Sequence, residues 1–214
     1  MKILVTGFDP FGGEKINAAY EAVKLLPVNI AEADIIKAEI PTVFGKCAEI
    51  LEQAIIKHQP DAVLCVGQAG GRADISMEKV AINLAEASIP DNEQQQPAGE
   101  VIIEDGPAAY FSTLPLKAMV KSIREHGIPA SISYTAGTFV CNDVMYRLMY
   151  MIERKYPKIR GGFIHVPYAD YQVTDKAGIT PSMPVETIAK GLEYAIEAVV
   201  EHEHDIRSFA GTIY

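Results

Sequence analysis

One cysteine and one histidine have the clearest capacity for covalent chemistry. Cys141 lies in Ala136-Gly137-Thr138-Phe139-Val140-Cys141-Asn142-Asp143, where a Gly-Thr turn opens a helical pattern. A thiol in the first turn of a helix sees the positive end of the dipole. That draws its pKa down from ~8.5 toward the range where thiolate exists at pH 7. Cys47 sits in a helical pattern among Ala and Ile, and Cys65 sits inside the apolar run Val63-Leu64-Cys65-Val66. Both read as inert core thiols. His165 closes the apolar run Phe163-Ile164-His165-Val166 before Pro167. A hydrogen-bonded core histidine is the competing assignment, but strand ends are where α/β sheets place ligands. The remaining histidines, His58, His126, His202 and His204, fall at polar helix ends or in the tail. A cysteine at a helix start and a histidine at a strand end are the minimum for a thiol nucleophile and its base. A carboxylate that orients the imidazole would complete the set. Spacing does not choose it from 28 acids. Glu78, in the polar middle of the chain, is an attractive candidate.

Other constellations are weaker. Gly7-Phe8-Asp9-Pro10-Phe11-Gly12-Gly13 follows a strand and precedes a helix, but it lacks the Lys-Ser/Thr of a phosphate loop. Its two phenylalanines are placed either to line a pocket at a strand's carboxyl end or to cover the sheet end as core. Gly67-Gln68-Ala69-Gly70-Gly71-Arg72 also follows a strand and reads as a turn that can bring backbone amides close to a ligand. His202 and His204 are two apart, which on a helix faces them away from each other. No Cys or His pair has zinc spacing, so neither a metal nor any other cofactor is expected.

These groups must be positioned by elements of an alternating fold. The patterns predict strands at 2–8, 34–40, 62–66, 130–134 and 163–166. They predict helices at 18–26, 43–58, 117–126, 138–156 and 184–204, with Asn17 capping the first. Strand and helix interleave, which implies an α/β sheet covered on both faces. The stretch 67–111 is rich in Gly, Pro, Asp, Asn and Gln and reads as a long polar loop, with Ala81-Ile82-Asn83-Leu84 as its apolar centre. Long loops of this kind in folded domains are usually functional or disordered. The chain of 214 residues is expected to form one domain over 1–214. Its net charge of −9 and lack of a basic block argue against a nucleic-acid partner. No apolar run approaches the ~18 residues of a membrane span, and the start is too short and too soon acidic for a signal peptide. Three cysteines cannot all pair within one chain, and a reduced, cytoplasmic protein is the simplest expectation.

Several stretches together resemble one family. They are Thr6-Gly7-Phe8-Asp9-Pro10-Phe11-Gly12-Gly13, Val66-Gly67-Gln68-Ala69-Gly70-Gly71-Arg72, Val80-Ala81-Ile82-Asn83 and Ile89-Pro90-Asp91-Asn92. To these add Ser133-Tyr134-Thr135-Ala136-Gly137-Thr138-Phe139-Val140-Cys141-Asn142 and Gly162-Phe163-Ile164-His165-Val166-Pro167-Tyr168. In this order they resemble the pyroglutamyl peptidase I, or pyrrolidone-carboxylate peptidase, family of cysteine peptidases, from Lys2 to about Ala195. The resemblance implies a three-layer α/β/α sandwich around a twisted mixed sheet. It implies a cytosolic exopeptidase, often a homotetramer, that removes N-terminal pyroglutamate from peptides without a cofactor. It places the nucleophile at Cys141, the general base and acid at His165 and the orienting carboxylate at Glu78. It maps a lactam pocket onto Phe8, Phe11, Asn17, Thr42, Gln68, Ile89, Phe139 and Val140. A five-membered lactam has two flat faces for ring packing, and one N–H and one C=O for polar partners. The chain also departs from the family pattern. Ser88 stands where the family carries an arginine near the oxyanion, and Lys79 replaces the usual arginine after the catalytic Glu. Ala18 replaces a proline, and Ala169-Asp170-Tyr171 replaces Ile-Pro-Glu.

Overall fold

The apolar runs assemble into one seven-stranded sheet, and the computed structural model describes residues 1–210 of the chain. In chain order the elements are β1 (Lys2–Phe8), α1 (Ala18–Leu25), β2 (Asn29–Ile30), β3 (Ala33–Ile40), α2 (Lys46–His58), β4 (Ala62–Gln68) and β5 (Ile75–Glu78). There follow β6 (Val80–Ile82), β7 (Ala85–Glu86), β8 (Ala98–Glu100), β9 (Ala109–Phe111), α3 (Leu116–Glu125), β10 (Ala130–Ser133), α4 (Val140–Arg154), β11 (Arg160–Val166) and α5 (Val185–Glu201). The strand order is β10-β5-β11-β4-β1-β3-β2. β11 runs parallel to β4 but antiparallel to β5, and β2 is antiparallel to β3, so the sheet is mixed.

Strand alternation sorts side chains into two cores. Ile3 and Val5, Leu64 and Val66, and Ile164 and Val166 face α1, α3 and α5. Leu4 and Phe8, Val63 and Cys65, and Phe163 face α2 and α4. The result is the expected α/β/α layering. β4 is buried along its whole length, as a central strand covered on both faces must be. α4 is held by Val140, Val144, Leu148, Met151 and Ile152, spaced to cover one side of a helix. Each such side chain contributes roughly 1.5–3 kcal/mol on full burial.

Helix ends differ from the sequence expectation for local reasons. Asn17 caps α1 as expected, accepting from the Ala19 N–H at 3.1 Å. α2 begins at Lys46, since Gly45 (φ 73°) is not helical. α4 begins at Val140, because Phe139 is extended. Pro27 forces Leu26 to ψ 141° and ends α1.

The largest difference lies between β4 and α3. The stretch 67–111 is not one long loop. It contains β5, which is part of the main sheet, and two small ribbons, β6 with β9 and β7 with β8. β5 has only four residues, Ile-Ser-Met-Glu, all buried. Its alternation sends Ile75 and Met77 into the α1/α3/α5 core, leaving Ser76 and Glu78 to the opposite face.

Candidate active site

The same alternation brings the reactive groups together at one end of the sheet. On β4, Cys65 and then Gly67 face α4; on β11, Phe163 and then His165 do so. His165 pairs with Gly67 on one side and with Ser76 on the other. Gly67 leaves an open spot in the sheet surface, and the Cys141 thiol fills it. A Cβ on Gly67 would stand 2.9 Å from Cys141 Sγ and 2.6 Å from the Phe163 ring.

Glu78 closes the group from β5. Its Oε1 accepts from His165 Nδ1 at 2.7 Å, with Glu78 fully buried and His165 4% exposed. A carboxylate only accepts, so Nδ1 carries the hydrogen and Nε2 keeps its lone pair. Phe163 packs against the imidazole with ring centroids 4.8 Å apart, and Phe8 backs Phe163 at 6.3 Å. Burial lowers the His165 pKa below its ordinary value, partly offset by Glu78.

The thiol differs from the sequence expectation. Cys141 does sit in the first turn of α4. Its pKa is nonetheless pushed up to about 12, by burial first and by the nearby Glu78 charge second. Its own backbone N–H and Arg72 pull the other way without prevailing. The helix start therefore does not leave a standing thiolate at pH 7. Burial thus disfavours charge on both the thiol and the imidazole. Cys141 is partly covered, whereas Cys47 and Cys65 are fully buried, as their sequence surroundings implied.

Asn142 and Asp143 hold the first turn of α4. The Asn142 side chain accepts from the Ile82 N–H at 2.9 Å and donates to the carbonyls of Ile82 and Leu84. Asp143 accepts from the Gly45 N–H and from Arg147 Nε, both at 2.9 Å. Sequence reasoning gave neither residue a role. Two polar side chains buried just after the cysteine were the available signal.

The expected pocket residues separate into two groups. Phe11 and Phe139 face each other with centroids 6.1 Å apart, and Phe44, absent from the sequence reading, meets Phe139 edge-on at 5.3 Å. Ile89 is 43% exposed and lies over Gly12. It stands between a cavity of about 520 Å³, lined by Ser88, Thr138 and Phe139, and one of about 440 Å³, lined by Gly12, Gly13 and Asn92. Phe8 and Val140 instead lie in the α2/α4 core. Asn17 and Gln68 serve the start of α1, with Gln68 Oε1 accepting from the Ala18 N–H at 2.9 Å. Asp9 ties the walls together. It accepts from the Thr42 N–H at 2.6 Å and from Asn92 at 3.1 Å, while its carbonyl accepts from Asn17 and from the Thr42 hydroxyl.

Known proteins share this fold. A sequence model of the pyroglutamyl peptidase family matches residues 1–202. The pyrrolidone-carboxylate peptidase of Enterococcus faecalis is 59% identical over 214 residues, covering all of both chains. That of Clostridium botulinum is 58% identical over 213 residues, again covering all of both. The crystal structure of Bacillus amyloliquefaciens pyroglutamyl peptidase I superposes with a TM-score of 0.93 at 53% identity, covering 96% of this chain and 99% of that one. The Thermococcus litoralis pyrrolidone carboxyl peptidase gives 0.92 at 36% identity, covering 97% and 98%. With its fold and nearly its whole length in common with these enzymes, this chain belongs to the pyroglutamyl peptidase family.

Proposed function

We propose that the chain removes N-terminal pyroglutamate from peptides, with Cys141 as nucleophile, His165 as general base and acid, and Glu78 as the carboxylate that orients the imidazole. The observation that carries this reading is the buried 2.7 Å bond from His165 Nδ1 to Glu78 Oε1. It fixes the tautomer that leaves Nε2 free to take a proton.

The step starts from the neutral thiol and imidazole, the forms that burial favours. Sγ attacks the pyroglutamyl carbonyl carbon while His165 Nε2 takes the thiol proton. The carbonyl oxygen becomes an oxyanion near the Cys141 N–H, whose place in the first turn of α4 leaves it without an intrahelical partner. His165 then gives its proton to the leaving amine as the C–N bond breaks. Water attacks the thioester, again losing a proton to His165, and pyroglutamate leaves with the thiol restored. Phe11, Phe139 and Ile89 would contact the lactam; Phe8, Asn17, Thr42, Gln68 and Val140 would hold the walls that present them. The described residues act as one domain, since β1 near the start and β11 beyond α4 both flank β4. Three free cysteines fit a reduced cytoplasmic setting, and the family resemblance supports a homotetramer.

Ser88 favours a second reading, a catalytically weakened protein that binds lactam-blocked peptide ends. One assay separates the two: release of a fluorescent amine from a pyroglutamyl-amide, with prolyl- and alanyl-amides as controls. The wild type should cleave only the first. Cys141→Ala should abolish turnover, and His165→Ala should nearly do so. Glu78→Gln should retain more than either, since it transfers no proton. Binding without turnover would favour the second reading, and a fully active Cys141→Ala would overturn the assignment.

A further inference from the structure

Arg72 is not among the three reacting groups, yet it grips one of them. It follows Gly70 and Gly71 in the loop after β4. Gly70 packs under Tyr168, where a Cβ would stand 2.5 Å from the ring. The turn closes with Arg72 N–H donating to the Ala69 carbonyl at 3.3 Å, and the side chain folds back across the site. Nη1 donates to Glu78 Oε1 at 2.6 Å, the same oxygen that accepts from His165 Nδ1 at 2.7 Å. Nη2 donates to the Thr135 carbonyl at 3.3 Å. The Arg72 side chain is 27% exposed and that of Glu78 fully buried. The second carboxylate oxygen, Oε2, is buried without a partner.

A buried carboxylate holds its charge only when it is paired. A neutral imidazole supplies a hydrogen bond but no charge, so the one compensating cation on Glu78 among the described residues is Arg72. Without it, the Glu78–His165 pair would take up a proton more readily, whichever member held it. Either way the free Nε2 lone pair or its orientation would be lost.

We propose that Arg72 is a positioning residue that pairs with Glu78 and holds it aimed at His165, so that His165 stands ready as a base. The proposal rests on the reading of Cys141, His165 and Glu78 given above. The groups that act on this pair are Arg72 from the loop after β4, Glu78 from β5, Cys141 from α4 and His165 from β11. Burial has the largest influence on both His165 and Cys141, Glu78 raises both, and Arg72 lowers both.

The experiment is the pH profile of kcat/KM on a pyroglutamyl-amide for wild type, Arg72→Gln and Arg72→Lys, with Cys141→Ala as control. Arg72→Gln should move the acid limb to higher pH, because Arg72 holds the His165 pKa down. Its kcat should fall about tenfold or more, with KM little changed. Arg72→Lys keeps the charge and loses the fork, so its acid limb should stay in place while kcat falls. An Arg72→Gln enzyme with an unmoved acid limb would show a merely structural role and overturn the proposal. Should Arg72→Gln fail to fold, Arg72→Lys decides. A wild-type kcat, or a limb moved upward despite the retained charge, overturns the proposal; a reduced kcat with the limb in place supports it. Activity persisting in Cys141→Ala would instead overturn the triad reading, independently of Arg72.

Discussion

Cys141 Sγ rests where the side chain of Gly67 would be: a Cβ on that glycine would come within 2.9 Å of the sulfur. The same Cβ would press on the Phe163 ring, which is fully buried and has nowhere to move. Gly67→Ala should therefore displace the thiol or the ring that supports His165. We expect a destabilisation of about 1–3 kcal/mol, typical of overpacking. A fall in kcat of about 10²-fold should accompany it, the usual cost of a displacement near 1 Å at a reacting group. Thermal melting and steady-state kinetics test both. A variant with wild-type kcat would show that the sulfur does not work from this position.

Alkylation should single out Cys141 by access rather than by acidity. Burial pushes both Cys65 and Cys141 up to about 12 and raises Cys47 well above its ordinary value. None is a ready thiolate, but Cys141 alone of the three is not fully covered. Iodoacetamide at neutral pH should label Cys141 first and slowly, with peptide mapping as the readout. Labelling of Cys65 first in folded protein would contradict the arrangement.

The two phenylalanines of the first loop should respond differently. Phe11→Ala removes a ring that faces Phe139 and should raise KM, weakening binding by roughly 1–3 kcal/mol. Phe8→Ala empties a buried position behind Phe163 and should cost about 3–5 kcal/mol of stability. Substrate titrations and melting curves on both variants make the comparison. Raised KM without lowered Tm in Phe8→Ala would return Phe8 to the lactam pocket.

Ser88 is exposed and shares a cavity with Thr138 and Phe139, just ahead of Cys141 in the chain. The loop is pinned there, with Glu86 N–H donating to the Thr138 carbonyl at 3.0 Å and the Thr138 hydroxyl donating to the Glu86 carbonyl at 2.8 Å. The cations Arg72 and Lys79 are engaged elsewhere, Arg72 on Glu78 and Lys79 over the Phe111 ring. Ser88→Arg should raise kcat with little change in KM. The ceiling is ~10²–10³, the effect of one oxyanion donor. An unchanged or lowered kcat would mean that Ser88 is no deficit.

The layers and the place of Cys141 at a helix start were legible in the sequence because they depend on local patterns. Asn17 announced α1, and the buried runs announced β1, β4 and β11. β5 was not legible. Four residues are too few for periodicity to register, and its partners β10 and β11 lie far along the chain. The same gap left Glu78 unresolved among the acids until the family resemblance chose it. The thiol's pKa was misjudged for a related reason. The helix dipole can be read locally, but burial and the facing Glu78 come from elements distant in sequence. Pocket residues divided similarly: Phe11 and Phe139 line the surface, while the buried neighbours Phe8, Asn17 and Gln68 support it from behind.

β11 lies between β4 and β5 and is hydrogen-bonded to both. Until it is in place, the sheet is two fragments, β4-β1-β3-β2 and β10-β5. The strand that joins them also carries His165. A nascent chain emerging from the ribosome thus holds its thiol and its carboxylate well before it can unite them. With His165 in its proposed role as base, turnover requires β11 in place, and an active chain is one whose sheet has closed.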